Sequence, residues 1–469
     1  ALETKSYVDT LLGAIVHTQL KICDWTNLNK NLENFKDEIA DPKKMANPFF
    51  LLSVFDSPKM QKSTAEKWFK LSSEKWFISE YNSLNNKLEE ISKRKKNKKI
   101  KIGYYSADFR EHPVGQLIVN LFELHDKSNF EIYGFYFGPD INDSTYKRIS
   151  KAVDKFINIR LKSQSEISKL SRNLQIDIAV DLMGHTERSR FEIFAERCAP
   201  IQVSYLGYAG TLGANCIDYL IADKTLIPKE NQKYYSEKII YLPNTYLVND
   251  STKKISKKNF TRKNLGLPKN NFVFCCFNQS HKILPETFNI WMKILKKVNG
   301  SVLWLFETNK ISCKNLKQEA IKAGIDANRI IFAKRLMQLE EHLARYKVAD
   351  LFLDTFPYTA HSTCADSLKA GLPVLTLQGQ SFASRVSSSL LEVVGLKELI
   401  THSSNEYENN AVELANNSSK LKNIKKKLED SKNKTPLFNT KLFTSNIEKA
   451  YFLIFEKYIK GEENNNIKI

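Results

Sequence analysis

Short apolar runs alternate with helical patterns through most of the chain beyond residue 98. Runs such as Phe130–Tyr136 and Val302–Phe306 carry few charges and end at polar or turn-forming residues, which is typical of strands buried on both faces of a parallel sheet. Between these runs, apolar residues recur at the spacing of a helix. The alternation predicts doubly wound α/β lobes, in which ligand-facing loops follow the carboxyl ends of the strands.

Changes in this pattern set the predicted domain boundaries. Residues 1–98 show helical periodicity without interposed strands, which predicts an α-helical N-terminal extension. Residues 99–250 and 262–430 each carry the alternating pattern and are predicted to form two Rossmann-like lobes, joined by a polar, lysine-rich segment at 251–263. Residues 435–460 contain an amphipathic C-terminal helix, and we expect the Asn-rich tail after it to be disordered.

Each lobe is predicted to contain a mostly parallel sheet, because its apolar runs are separated by helical patterns rather than by tight turns. The predicted strands are Lys101–Tyr105, Phe130–Tyr136, Ile176–Asp181, Ile201–Tyr205 and Ile217–Ala222 in the first lobe, and Asn271–Phe277, Val302–Phe306, Ile330–Phe332, Leu351–Asp354 and Leu372–Leu377 in the second.

Composition removes several classes of function from consideration. No apolar run is long enough for a membrane span. The seven cysteines form no CxxC pair and the eight histidines lack ligand spacing, so we predict free thiols in the reducing cytoplasm and no metal site or other cofactor. The formal charge of +19 is attributed to solvated lysine faces, and nucleic acid is not the expected partner.

Residues 349–386 contain a strand, a loop and a helix in succession. Leu351–Asp354 is a short apolar run that ends on an acid, and Pro357 should end the strand. A helical pattern then runs from Cys364 and stops at Gly371. The free N–H groups and the positive dipole end of such a helix can bind an anion.

His361, Ser362 and Thr363 occupy the start of this helix. Hydroxyl groups beside free backbone amides suit a pyrophosphate. Asp366, one turn further along, is placed to accept hydrogen bonds from a ribose diol. An ordinary N-cap is the alternative interpretation, and it would be preferred for Ser or Thr alone.

Several motifs then occur in an order that is specific to one family. Together with Glu340–Asp350 and the stretch 349–386, they resemble the catalytic region of the O-GlcNAc transferase and SPINDLY family, over roughly residues 15–458. The chain is most similar to bacterial members, which lack a long insert between the lobes. The other motifs are YSADFREHP at Tyr105–Pro113, APIQVSYLGYAGT at Ala199–Thr211, YSEKIIYLP at Tyr235–Pro243 and FNQSHK at Phe277–Lys282.

The resemblance implies a GT-B glycosyltransferase that moves N-acetylglucosamine from UDP-GlcNAc to Ser or Thr hydroxyls of proteins, with inversion and without a metal. Lys282 would stabilise the leaving diphosphate in place of a cation, and Gln279 would approach the phosphates. His361, Ser362 and Thr363 would hold the diphosphate. One surface lysine among many is the alternative for Lys282.

The resemblance also places His342 and Arg345 beside the nucleotide base. Spacing alone favours an exposed polar helix face for this pair. Leu339 stands where animal members have a lysine that contacts the nucleotide, so the identity of the base stays open.

In the first lobe, the resemblance makes His112 and Asp181 candidate catalytic residues, with His185 and the loop Gly207–Gly213 shaping the acceptor side. His112 precedes a proline and could equally cap a helix. Asp181 ends a predicted strand, where acids often cap the next loop. The proton acceptor is left open between His112, Asp181 and the phosphate of the donor.

Two alternatives to UDP-GlcNAc transfer remain at this stage. One is protein O-fucosylation from GDP-fucose, as in the SPINDLY branch. The other is a non-catalytic nucleic-acid-binding or scaffold protein on the same fold. The chain begins without methionine, and we expect upstream helical repeats that select acceptor proteins, as in the family.

Overall fold

The computed structural model describes residues 10–73, 99–432 and 434–469. Spatial clustering divides the chain into two compact units, neither of which is continuous in sequence. The first unit comprises the described part of Ala1–Ser57 together with Lys253–Thr435, and the second comprises the described parts of Pro58–Thr252 and Pro436–Ile469.

The N-terminal helices belong to different units. The helices are α1 (Leu11–Ile22), α2 (Leu28–Ala40), α3 (Pro48–Leu51) and α4 (Pro58–Ser73). The first three lie in the first unit and α4 lies in the second, although residues 1–98 are predicted to form one extension. Residues 74–98 lie outside the described part, so that stretch of the predicted extension stays a prediction.

The second unit contains a parallel sheet flanked by helices. With the C-terminal strand β14 (Ile467–Lys468) included, the strand order is β14-β7-β6-β5-β4-β1-β2-β3, and every pairing is parallel. The apolar runs predict β1, β2, β4, β5 and β6 but not β3 or β7. Its elements up to β7 are β1 (Ile100–Ser106), α5 (Pro113–Leu124), β2 (Phe130–Tyr136), α6 (Ser144–Ala152), β3 (Lys155–Asn158), α7 (Gln164–Asn173), β4 (Ile178–Asp181), α8 (Glu192–Ala195), β5 (Ile201–Ser204), β6 (Tyr219–Ala222) and β7 (Lys238–Tyr241).

The first unit contains a six-stranded parallel sheet in the order β10-β9-β8-β11-β12-β13. The predicted strands of this lobe all form, because each is a short apolar run covered on both faces. The elements are β8 (Val273–Cys276), α9 (Pro285–Lys297), β9 (Val302–Phe306), α10 (Lys310–Lys322), β10 (Ile330–Ala333), α11 (Leu339–Arg345), β11 (Leu351–Leu353), α12 (Ser362–Ala370), β12 (Val374–Leu377), α13 (Val386–Val393), β13 (Ile400–Thr401), α14 (Ser404–Asn416) and α15 (Ser418–Ser431).

The C-terminal segment returns to the second unit as helix α16 (Thr440–Ile459) and strand β14 (Ile467–Lys468). The expectation of a disordered tail is wrong. Asn466 Oδ1 accepts a hydrogen bond from the Ile239 amide at 2.8 Å, and Ile467 is buried. These contacts add the tail to the sheet as a parallel strand beside β7. Within the described residues, no helix is both long and apolar enough to cross a membrane.

Both sheets are doubly wound, which confirms the α/β prediction. In the second unit the strand order reverses between β1 and β4, and in the first unit it reverses between β8 and β11. Ligands of such sheets bind beyond the carboxyl ends of the strands at the reversal. The loops that follow β8 and β11 are therefore the expected ligand-binding loops of the first unit.

Candidate functional site

The predicted phosphate site lies at the strand reversal of the first unit. A turn at Ser280–Lys282 follows β8, and residues 354–361 connect β11 to α12. Pairing of Phe352 with Cys275 places the ends of the two strands side by side. Neighbouring strand ends bring the Lys282 turn and the start of α12 to the same edge of one sheet.

Asp354 organises the loop after β11. Its Oδ1 accepts hydrogen bonds from the amides of Thr355 at 2.8 Å and Ala360 at 2.7 Å, while its Oδ2 accepts one from Thr376 Oγ1 at 2.8 Å. Burial raises the pKa of this carboxyl, and the hydrogen bonds oppose that shift. One buried carboxylate thus fixes both ends of the loop.

Lys282 points at this loop. Its Nζ donates to the Thr359 carbonyl oxygen at 3.0 Å and lies 3.6 Å from the centre of the Tyr358 ring. Burial lowers the pKa of Lys282 to about 8, although the nearby Asp354 charge acts to raise it. Gln279, the other predicted phosphate contact on this turn, is exposed. A cation held in a largely dry position beside an open helix end is a strong anion site.

Helix α12 begins at Ser362, two residues before the predicted Cys364, and stops at Gly371 as predicted, where the φ of +88° favours glycine. Within the described part of the chain, no group accepts a hydrogen bond from the amides of Ser362 or Thr363. His361 Nε2 donates to the Ala383 carbonyl oxygen at 3.3 Å. Burial, followed by the charge of Lys282, lowers the pKa of His361 well below its usual value, so the ring is neutral.

A second loop, after β12, is fixed to this site by Asp56. The Asp56 carboxylate accepts hydrogen bonds from the amides of Gln380 at 2.7 Å and Ser381 at 2.8 Å and from Ser384 Oγ at 2.7 Å. A Cβ on Gly379 would lie 2.3 Å from Asp56 Oδ2, so only glycine allows this approach. The loop includes Ala383, which receives the His361 hydrogen bond.

The C-terminal end of helix α1 is hydrogen-bonded to the Lys282 turn and to two asparagines of the first unit. Ser280 Oγ donates to the Lys21 carbonyl oxygen at 2.6 Å. Asn309 Nδ2 donates to the same oxygen at 2.8 Å, and Asn315 Nδ2 donates to the Ile22 carbonyl oxygen at 2.9 Å. These side chains satisfy terminal carbonyls that a helix leaves without partners.

The contacts of Arg345 differ from the base-flanking role predicted for it, whereas the predicted place of His342 beside the nucleotide base stays a prediction. Arg345 is 1% exposed, donates to the Lys334 carbonyl oxygen and to His342 Nδ1, and lies over the Phe277 ring at 4.5 Å. Its guanidinium therefore positions His342 rather than flanking a base. Burial, then the Arg345 charge, lowers the pKa of His342 to about 4, so this ring is neutral with its proton on Nε2.

Asp366 forms an ion pair with Lys253, which no sequence motif predicts. Lys253 Nζ lies 3.0 Å from Asp366 Oδ1, and the two side chains are only 6% and 14% exposed. The predicted ribose acceptor thus keeps a second oxygen, Oδ2, for which no partner is present among the described residues. Lys253 falls in the lysine-rich junction, where no periodicity distinguishes one lysine from the next.

In the second unit, Asp181 serves as a loop cap. Its two oxygens accept hydrogen bonds from the amides of Met183 at 2.9 Å and Gly184 at 3.0 Å, and the residue is 2% exposed. Burial raises its pKa to about 6 against these hydrogen bonds. This geometry favours the capping alternative over a role as proton acceptor.

His112 is also a cap, yet one ring nitrogen stays available. Its Nδ1 accepts a hydrogen bond from the Val114 amide at 3.4 Å at the start of α5. Burial lowers the pKa of His112, while the charge of Asp108, whose Oδ2 lies 3.4 Å from Nδ1, acts to raise it. Because Nδ1 accepts from the Val114 amide, a neutral ring carries its proton on Nε2. The capping and ligand-binding interpretations therefore do not exclude each other.

His185 and the glycine-rich loop of the second unit are held internally. His185 Nε2 donates to the Leu212 carbonyl oxygen at 3.0 Å. The buried Glu237 accepts from Thr211 Oγ1 and from the Leu212 amide, both at 2.6 Å. These contacts fix the shape of the loop Gly207–Gly213.

The motifs predict Lys282 and the start of α12, which the structure brings to one edge of the sheet, but they do not predict the residues that support them. Tyr358, Asp56 and Lys253 carry no motif of their own, and their roles depend on contacts between distant segments. Asp354 is visible as the acid that ends a strand, and that position is the only signal for its role. Among the described residues, no three His, Cys, Asp or Glu side chains are grouped to hold a metal ion.

Comparisons with known proteins show which sequences and folds this chain is similar to. A protein of Arabidopsis thaliana named probable UDP-N-acetylglucosamine–peptide N-acetylglucosaminyltransferase SEC is 36% identical over 378 residues, which cover 79% of this chain and 39% of that protein. A Solanum lycopersicum protein named probable UDP-N-acetylglucosamine–peptide N-acetylglucosaminyltransferase SPINDLY is 29% identical over 371 residues, which cover 77% of this chain and 39% of that protein. This chain therefore spans less than half the length of these curated relatives.

A solved structure shows the same fold. The structure of a mutant O-GlcNAc transferase of Thermobaculum terrenum has a TM-score of 0.78 at 24% identity, covering 95% of this chain and 83% of that one. The GT-B prediction is confirmed by this likeness. The profile of glycosyl transferase family 41 matches residues 22–260 and 255–447. Because these matches extend over most of the sequence, the chain belongs to glycosyl transferase family 41.

Proposed function

We propose that this chain is the catalytic region of an inverting protein O-glycosyltransferase that moves N-acetylglucosamine from UDP-GlcNAc to Ser and Thr hydroxyls of proteins. One observation carries the proposal. The Lys282 ammonium lies at the loop that leads into α12, whose first amides have no acceptor among the described residues. Such an arrangement suits a diphosphate leaving group.

The proposed reaction needs little covalent chemistry from the protein. The acceptor oxygen attacks the anomeric carbon, the bond from that carbon to the diphosphate breaks, and the configuration inverts. Lys282, Ser362 and Thr363 stabilise the negative charge that grows on the leaving diphosphate. Orientation of donor and acceptor supplies the rest of the rate enhancement. We assign the acceptor proton to the leaving diphosphate, since both oxygens of Asp181 already accept hydrogen bonds and Nδ1 of His112 already accepts one from the Val114 amide.

The names of the relatives support a uridine donor. Both are named for UDP-N-acetylglucosamine, and no contact in the site favours GDP-fucose or a nucleic acid instead. We extend the proposal to upstream repeats that select acceptor proteins and to a reducing compartment, which is supported by seven free cysteines.

The proposal is tested by incubating the protein with acceptor peptides and a panel of UDP- and GDP-sugars, followed by mass spectrometry. We expect a mass increase of one N-acetylhexosamine on Ser or Thr with UDP-GlcNAc alone. The increase should persist in EDTA, because Lys282 takes the place of a cation. Transfer of fucose from GDP-fucose, or no transfer from any donor, would contradict the proposal.

The pH dependence of UDP binding provides a separate prediction. Burial lowers the pKa of free Lys282 to about 8, and a bound diphosphate favours the ammonium, so binding raises this pKa. UDP affinity should therefore be nearly constant up to about pH 8 and fall by up to about tenfold per pH unit above it. Calorimetry between about pH 7 and 9.5 measures this fall, which Lys282→Met should remove. A wild-type affinity for UDP that does not decrease above pH 8 would exclude a role for the Lys282 ammonium in UDP binding.

A further inference from the structure

Lys253 has unused hydrogen-bonding capacity in a buried position. Its side chain is 6% exposed, and an ammonium carries three N–H donors. Within the described chain, Asp366 Oδ1 is its one hydrogen-bond partner. Burying unpaired donors of a cation is costly, so the position is unfavourable unless something else accepts from them.

Asp366 and His342 also have hydrogen-bonding groups without a partner among the described residues. Asp366 Oδ2 accepts from no described residue, and His342 accepts from Arg345 through Nδ1, which leaves Nε2–H as a donor. Lys253 Nζ lies 3.0 Å from Asp366 Oδ1, and the charges of both residues act on the pKa of His342, which indicates that this ring is near the pair. Together they offer a cation, an acceptor and a neutral donor, one turn along α12 from the open amides of Ser362 and Thr363.

We propose that Lys253 and Asp366 form a donor–acceptor pair that reads one ribose hydroxyl of the nucleotide, with Lys253 as a specificity-determining residue. A hydroxyl is both a donor and an acceptor. It can donate to Asp366 Oδ2 while it accepts from a free N–H of Lys253. A deoxyribose would leave both groups without a partner. This inference rests on the proposed function, because it assumes that a nucleotide binds at α12.

The ion pair alone would be consistent with a purely structural role, in which Lys253 holds the junction segment against α12. That role predicts equal weakening of every nucleotide when Lys253 is replaced. Ribose recognition predicts instead a change in the ratio between ribose and deoxyribose ligands, because a site built to hydrogen-bond a hydroxyl rejects the analogue that lacks it. The ratio therefore separates the two roles.

The test compares the binding of UDP, 2′-deoxy-UDP and 3′-deoxy-UDP by calorimetry. We expect wild-type protein to bind one deoxy analogue at least about tenfold more weakly than UDP. Lys253→Met, which keeps the chain length but removes the ammonium, should bind UDP about tenfold more weakly and lose this discrimination. Lys253→Arg should retain part of the UDP affinity and part of the discrimination against the deoxy analogue. Lys254→Met is the matched control, since Lys254 is the exposed neighbour, and it should behave as wild type.

If Lys253→Met keeps the wild-type ratio of UDP affinity to deoxy-UDP affinity, the inference is overturned and the proposed function is left intact. Equal affinity of wild-type protein for UDP and both deoxy analogues would overturn it as well. Failure of wild-type protein and Lys254→Met to bind UDP at all would overturn the proposed function too. Thermal unfolding of each variant is recorded beside the titrations, and Lys253→Arg replaces Lys253→Met if the latter does not fold.

Discussion

Replacing Lys282 with alanine is expected to reduce turnover by at least about 10²–10³-fold while the protein stays folded. The ammonium contacts the loop that leads into the open start of α12, where we propose that the diphosphate binds, and water cannot replace it in a largely dry site. The fold should tolerate its loss because the surroundings already disfavour the charged form, as the lowered pKa of Lys282 indicates. Initial rates from UDP-GlcNAc and the Tm measure both effects.

Lys293→Ala is the matched control for this variant. Lys293 is an exposed residue of α9 in the same unit, so its removal changes the net charge equally but should leave the rate unchanged. Wild-type turnover in Lys282→Ala would refute the assigned role. Loss of activity in both variants would point to a general electrostatic effect of the basic surface instead.

Replacing Asp354 with alanine is expected to have the largest effect on stability. It leaves the amides of Thr355 and Ala360 and the Thr376 hydroxyl without their acceptor in a buried loop. We expect the free energy of unfolding to fall by about 3–5 kcal/mol and the Tm by roughly 10 °C. UDP binding should be lost, because this loop carries the Lys282 contact.

Asp430→Ala provides the control, since Asp430 is exposed on α15 in the same unit and its loss should leave the Tm unchanged. Asp354→Asn tests the effect of the Asp354 negative charge on Lys282. The Asp354 charge raises the pKa of Lys282, so the amide should move the onset of the pH-dependent loss of UDP affinity below about pH 8. An unaltered Tm in Asp354→Ala would show that other contacts hold the loop.

The sequence predicts those parts of the fold in which local pattern and tertiary environment agree. Buried strands such as Val302–Phe306 have the same bounds in the structure. Strand β3 escapes prediction because KFIN is short and carries exposed ends at the edge of its sheet. The tail escapes it because asparagine is typical of disorder, whereas here Asn464 and Asn466 accept hydrogen bonds from the sheet.

The candidate site is predictable where a motif is contiguous and not where side-chain direction decides. His361, Ser362 and Thr363 lie at a helix start that caps and glycine identify. Arg345 shares a helix face with His342 by spacing, but its long side chain turns inward to Lys334, which periodicity does not encode. Lys253 depends on a contact with a residue 113 positions away.

The discontinuity of the first unit has a consequence for how the protein is made. Helices α1–α3 pack with residues 253–435, and the carbonyls at the end of α1 are capped by side chains such as Ser280 and Asn309. Ribosomes synthesise about 5–20 residues per second, so the nascent helices would wait roughly 10–40 s for these partners to emerge. During that interval their apolar faces are available to chaperones. The six-stranded sheet of the first unit can assemble only late in translation.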